Sequence, residues 1–266
     1  MILKTRDSSI AYETYGSNKT KAVTFIHGFP FSKSMWDEQA ALLSGDHFVL
    51  TFDVRGHGGS EVGNGQYLIE FFVDDLIRLL DHLQIKKTIL CGLSMGGYVA
   101  LRAVDREPSR FSGLVLSDTK ATPDTNAAKL NRVNQIRTIL SGNKSQFAEE
   151  QVKALFAPES IENKKSEVKK IRTTILSTDE NGLVGALIAL ASRMDMTENL
   201  GKISVPTLIL VGEKDKVTPP SDAEFMRSRI PNSKLMVIHG AGHISNMENS
   251  PGFNSALVDF LSENNL

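Results

Sequence analysis

The chain has 266 residues, 41% hydrophobic and 23% charged, an ordinary globular composition that excludes disordered and fibrous classes. Lys and Arg number 30 and Asp and Glu 31, so the formal net charge is −1 and no global field exists to attract nucleic acid or an anionic membrane. A single cysteine, Cys91, rules out an internal disulfide and a thiolate metal cluster and fits a reducing compartment.

Residues Met1–Asp7 lack the apolar core of a signal peptide, and the most apolar stretch, Leu183–Ala191, is far shorter than the ~20 residues that cross a bilayer. The expectation is a soluble cytoplasmic protein with no nucleic-acid or membrane partner. Nothing in the sequence speaks to oligomeric state.

Two alternating segments, Ile2–Arg6 and Ile10–Tyr15, flank Asp7-Ser8-Ser9 and predict a β-hairpin. Short apolar runs follow at Ala22–Ile26, Phe48–Phe52, Thr88–Cys91, Phe111–Leu116, Thr207–Val211 and Leu235–Ile238. Continuous runs of this kind suit parallel strands covered on both faces. Between them, Phe72, Val73, Leu76, Leu79, Leu80 and Leu83 keep a helical period, and Val99–Glu107 continues a helix that Pro108 stops. Alternating strands and helices predict a doubly wound, mostly parallel α/β sheet.

That rhythm breaks over residues 120–202, which carry helical patterns and no convincing strand. The patterns are Leu130/Val133/Ile136/Leu140, Phe147/Val152/Leu155, Val168/Ile171/Ile175 and Leu183–Ala191. The expected organisation is therefore a core of residues 1–119 and 203–266, with residues 120–202 inserted as a helical cap. Lys164, Lys165, Lys169 and Lys170 read as a solvated helix face.

Thr88-Ile-Leu-Cys-Gly-Leu-Ser-Met-Gly-Gly contains a G-x-S-x-G pattern at Gly92, Ser94 and Gly96. The pattern alone is weak. Its setting, an apolar strand before and a helical pattern after, is the one a nucleophile elbow requires. A sharp turn leaves no room for side chains two residues either side of the serine, so glycine takes both places.

A serine hydroxyl needs an adjacent base, and His243 in Gly240-Ala-Gly-His-Ile-Ser follows the last strand, where it can reach the sheet edge. Asp215, after the strand that ends at Val211, is the candidate acid, with Asp118 after Phe111–Ser117 as its rival and Glu213 nearer the strand end. Asp215 would hold the His243 tautomer, and His243 would take and return the Ser94 proton. The backbone N–H groups of Phe29, in His27-Gly-Phe-Pro, and of Met95 are the candidate oxyanion donors; Pro30 has none to offer. His27 is expected to brace its loop. Phe29, Met95, Trp36 and Met194 are candidates either for a pocket or for plain core.

His27-Gly-Phe-Pro, Asp53-Val-Arg-Gly-His-Gly-Gly-Ser, Gly92-Leu-Ser-Met-Gly-Gly, Val211-Gly-Glu-Lys-Asp and Gly242-His243, in that order, resemble the α/β-hydrolase superfamily over essentially the whole core. Within it the chain is most similar to small capped esterases and lactonases of the 3-oxoadipate enol-lactonase type. The resemblance implies that Asp53–Ser60, with Arg55 and His57, is a structural loop, and that neither cofactor nor metal is needed. Serine at position 94 argues against dehalogenases and epoxide hydrolases, which carry aspartate there. The implied function is a serine carboxylic-ester hydrolase acting on a small ester or lactone. A carbon–carbon bond hydrolase with the same triad and a slow-turnover ligand receptor are the alternatives, and a perhydrolase side activity stays open.

Overall fold

The structure is a computed structural model that describes residues 1–18 and 20–266. Strands β1 (Ile2–Lys4), β2 (Ser9–Tyr15), β3 (Ala22–Ile26), β4 (Phe48–Phe52), β5 (Thr88–Leu93), β6 (Phe111–Ser117), β7 (Thr207–Gly212) and β8 (Ser233–Ile238) form one sheet in the order β1-β2-β4-β3-β5-β6-β7-β8. The first two strands pair antiparallel, β2 runs antiparallel to β4, and every later pairing is parallel. The expected hairpin is present with a shorter first arm. Strands β3, β5 and β7 are buried along their whole length, whereas edge strand β8 is largely open, with Ile238 its one buried residue.

Helices α1 (Asp37–Leu43), α2 (Ile69–His82) and α3 (Met95–Arg106) connect the first half of the sheet. After β6 come α4 (Asn126–Leu140), α5 (Lys144–Leu155), α6 (Pro158–Asn163), α7 (Lys165–Ser177) and α8 (Glu180–Ser192); α9 (Pro220–Arg229), α10 (Ser245–Glu248) and α11 (Ser250–Glu263) complete the chain. Because β6 and β7 are neighbours, everything between Ser117 and Thr207 leaves the sheet and returns beside the strand it left.

Two expectations change here. On α4, Leu130, Val133 and Leu140 are exposed, at 66%, 40% and 61%, and Ile139 is the buried side chain. The inward face of that helix instead carries Ala128, Asn131, Arg132 and Gln135, because it looks into a cavity rather than onto a core. The lysine patch is not wholly solvated either: Lys170 Nζ donates to Ser34 O (2.6 Å) and Asp37 Oδ2 (2.9 Å), pinning α7 to the start of α1.

Strand ends are held by buried polar contacts. Arg55 meets Asp75 of α2 in a two-pronged ion pair (2.7 and 2.8 Å), with Asp7 a further carboxylate at 3.5 Å. Asp53, also buried, accepts from the backbone N–H of Lys33 (2.7 Å) and Gly59 (3.0 Å). Residues 53–60 thus fold as a hydrogen-bonded loop beside the site.

Candidate active site

The turn from β5 into α3 is the sharpest feature of the sheet edge. Ser94 sits at φ 53° and ψ −113°, a left-handed conformation costly for any residue with a side chain. The cost is tolerated because its neighbours over-determine it: Ser94 N–H donates to Ser117 O of β6 (2.9 Å), and Thr119 Oγ1 donates to Ser94 O (2.8 Å). A Cβ on Gly92 would lie 2.2 Å from Gly96 O, and one on Gly96 would lie 2.2 Å from Ile26 O. Neither contact can relax without moving backbone, which is the steric demand the sequence pattern encodes.

Three of the side chains singled out in the sequence meet at this edge. Ser94 Oγ is 2.8 Å from His243 Nε2, and His243 Nδ1 is 2.8 Å from Asp215 Oδ2. Asp215 Oδ1 accepts the backbone N–H of Val217 (2.8 Å) and Thr218 (3.0 Å), so only Oδ2 is left to face the imidazole. Thr218 Oγ1 donates to that same Oδ2 (2.8 Å) and lies 3.3 Å from His243 Nδ1. The network therefore selects the tautomer with the proton on Nδ1 and the lone pair of Nε2 turned to the Ser94 hydroxyl.

Electrostatics follow from burial and partners. Burial alone would raise the Asp215 pKa, but the charge and hydrogen bond of His243, with the Thr218 donors, outweigh it and hold the carboxyl below its ordinary range. Burial pushes the His243 imidazole down, and the Asp215 carboxylate more than restores it, so its pKa lies above the ordinary imidazole value.

Asp118 is close but occupied. Its Oδ1 accepts from Gly212 N (2.8 Å), and its Oδ2 from Ser117 Oγ (2.8 Å) and Ser245 Oγ (2.6 Å). Burial and the neighbouring Asp215 charge push it up to about 7. It ties the ends of β6 and β7 to the loop after His243 and makes no hydrogen bond to the imidazole. Glu213 lies at the surface, accepting from Gly240 N (2.9 Å).

The backbone N–H groups of Phe29 and Met95 are buried and donate to no acceptor among the described residues. His27 holds the Phe29 loop: Nε2 accepts from Val54 N (2.9 Å), which leaves Nδ1 to donate to Gly28 O (2.7 Å). His57 packs beside it at 5.3 Å between ring centres, and burial, then the neighbouring His27, push its pKa down to about 3. Trp36 is fully buried between Phe25 and Phe253, away from the cavity. Met194, 57% exposed, is also outside it.

Ser94 and His243 open into a cavity of about 260 Å³, walled by Phe29 and Tyr98 from the core and by α4, α5 and Leu190 of α8 on the far side. That far wall is polar. Arg132 spends only Nε on Asp124 (3.1 Å), whose other oxygen takes Arg193 Nη1 (2.7 Å), so both Arg132 Nη groups are without a partner among the described residues. Among the described residues, Gln151, 8% exposed, has no partner for its amide, and Gln135 Oε1 is buried without one.

Helix α5 also touches the histidine loop itself. His243 N–H donates to Leu155 O (2.7 Å), while Glu248 on α10 accepts from Gly242 N (2.9 Å) with one oxygen and from Ala157 N (2.8 Å) with the other. Sequence reasoning missed Thr218 and Glu248. The first carried a signal, since Asp-x-x-Thr ahead of Pro-Pro is a turn in which an aspartate caps the next backbone N–H groups. The second carried none. Among the described residues no group of three His, Cys, Asp or Glu is placed to hold a metal ion, and no helix is long and apolar enough to cross a membrane.

An eight-stranded sheet with a strained serine between its fifth strand and the following helix defines a class. The family model described as the alpha/beta hydrolase fold matches residues 21–250, and the chain belongs to that family and is a hydrolase. It is 32% identical over 255 residues to 3-oxoadipate enol-lactonase 2 of Acinetobacter baylyi, covering 96% of this chain and 94% of that one. Among solved structures, a thermophilic esterase from Thermogutta terrifontis superposes with a TM-score of 0.94 at 35% identity, covering 99% of both chains. The enol-lactonase from Burkholderia xenovorans LB400 gives 0.92 at 26% identity, over 98% of this chain and 100% of that one.

Proposed function

We propose that the protein hydrolyses a small carboxylic ester or lactone through an acyl-enzyme, with Ser94 as nucleophile, His243 as base and Asp215 as its orienting acid. The observation that carries this reading is the unbroken relay from Ser94 Oγ to His243 to Asp215, two contacts of 2.8 Å each. In the first half-reaction Ser94 Oγ bonds to the substrate carbonyl carbon and its proton passes to His243 Nε2. The oxyanion is received by Phe29 and Met95 N–H, which have no other acceptor. On collapse the C–O bond to the leaving alcohol breaks and His243 returns the proton to it; in a lactone that alcohol stays on the acyl chain. Water, deprotonated by the same imidazole, then attacks the acyl-enzyme, and the carboxylic acid leaves.

Residues 120–202 are, in this reading, a cap that shapes the acyl site, supported by the α4, α5 and α8 side chains in the cavity wall. The small volume, with Arg132, Gln135 and Gln151 on the far wall, favours short acyl groups that carry oxygen over long alkyl chains. The enol-lactonase and esterase relatives point to the same bond type. The test is a panel of p-nitrophenyl esters from acetate to octanoate with five- and six-membered lactones, run on the native protein and Ser94→Ala. Many turnovers on the short esters and loss of roughly 10⁴- to 10⁶-fold in Ser94→Ala are expected. Undiminished turnover in Ser94→Ala removes the mechanism, and a single slow burst by the native protein identifies a receptor instead.

A further inference from the structure

A second cavity, of about 230 Å³, lies beside the first and shares Tyr98 and Lys120 with it. Its walls are mostly apolar. Ile69, Leu101 and Met196 form the buried floor, while Leu68 (41% exposed) and Met194 (57% exposed) form the rim. Large apolar side chains left open around a concave surface mark a place where something apolar docks. One charged group there is unspent. Lys120, half-buried, makes no hydrogen bond or ion pair among the described residues; Asp222 senses its charge only through space. The acidic residue of the lining, Glu70, is already taken by Arg102 (2.5 Å) and Arg106 (2.9 Å). Arg193 is engaged through both Nη groups, on Asp124, Leu190 O and Thr122 O, and by its stacking over the Tyr98 ring at 4.2 Å, which leaves only its buried Nε without a partner among the described residues. The Tyr98 hydroxyl, on a residue 6% exposed, has no hydrogen-bond partner among the described residues either.

We propose that this cavity is a binding site for a monocarboxylate of about eight carbons in all, its carboxylate on Lys120 and Tyr98 and its chain on Leu101, Met194 and Met196. An apolar pocket next to an unpaired ammonium complements an amphiphilic anion, and neither a neutral hydrocarbon nor a small hydrophilic anion satisfies both halves. The size follows from volume: 230 Å³ holds roughly seven or eight groups of about 30 Å³ each. Ser94 and His243 line the first cavity and not this one, so it is distinct from the acyl position, and the proposal stands independently of the hydrolytic reading.

The test is methyl NMR of the native protein, labelled at Met, Leu and Val methyls, titrated with octanoate. Leu101, Met194 and Met196 report the second cavity, and Leu155, Leu190 and Val217 report the first. Saturable shifts at the first set are expected, with hexanoate binding roughly tenfold more weakly for its two missing methylenes. Lys120→Gln should weaken octanoate about tenfold and leave octan-1-ol, which lacks the charge, unchanged. Shifts confined to Leu155, Leu190 and Val217, or no saturable shift at all, overturn the proposal. So does octanoate binding that is indifferent to Lys120→Gln.

Discussion

Glu248 is the side chain that joins the helical insertion to the loop of His243, and removing it should uncouple the two. Its carboxylate is 5% exposed and accepts from Ala157 N (2.8 Å) and Gly242 N (2.9 Å), with Ile244 N a long third contact at 3.4 Å. In Glu248→Ala two buried N–H groups lose their only acceptor, at about 1–3 kcal/mol each, so a loss of about 2–6 kcal/mol is expected. Against a typical total of about 5–15 kcal/mol that is a large fraction. Glu248→Gln keeps the shape but turns an NH₂ toward one of the two donors, and should cost about half as much. Since Gly242 precedes His243, the loop should drift, and a displacement of about 1 Å at a proton-transfer group costs roughly 10²-fold in kcat. Glu248 does not line the cavity onto which Ser94 and His243 open, so KM should stay within about threefold. Urea unfolding and steady-state kinetics on p-nitrophenyl acetate measure both effects. A fall in stability with native kcat in both variants would show that Glu248 braces the fold without positioning the imidazole, and unchanged stability would refute the hydrogen-bond accounting itself.

Asp215→Asn should lower kcat by roughly 10⁴-fold, because an amide can present its NH₂ to Nδ1 and reverse the tautomer. Asp118→Asn should cost far less, and the opposite ranking in kcat would transfer the acid role to Asp118. The acid limb of kcat/KM should have its midpoint above the ordinary imidazole value, since the Asp215 carboxylate raises the His243 pKa and the imidazolium cannot accept the Ser94 proton. Activity is thus lost as pH falls through that point, and in Asp215→Asn the midpoint should move down; a midpoint below the ordinary value contradicts the pairing. Gly96→Ala should fail to give soluble native protein or lose nearly all activity, because its Cβ would meet Ile26 O at 2.2 Å; normal yield and rate would refute the steric argument. Gln151→Ala should change relative rates among acyl groups while the acetate rate stays within about threefold, as read from the ester panel.

The sheet and the serine turn could be read from the chain because their causes are local. Continuous apolar runs closed by Gly or Asp specify buried parallel strands, and the glycine at position 92 answers a clash of 2.2 Å with Gly96 O that arises within one turn. Choosing between Asp215 and Asp118 needed tertiary structure: both follow strands, and only three-dimensional placement gives Asp118 its donors from Gly212, Ser117 and Ser245 while leaving one oxygen of Asp215 to His243. The α4 stripe misled for a related reason. Periodicity reports that a helix is two-sided, but which side turns inward depends on what it covers, and over a cavity the polar side is the inner one. Glu248 and Leu155 had no sequence signal because each acts through a partner brought near by the return of the insertion to β7. Hydrogen bonds and close contacts are short-ranged, so the chain encodes them only where sequence neighbours are also neighbours in space.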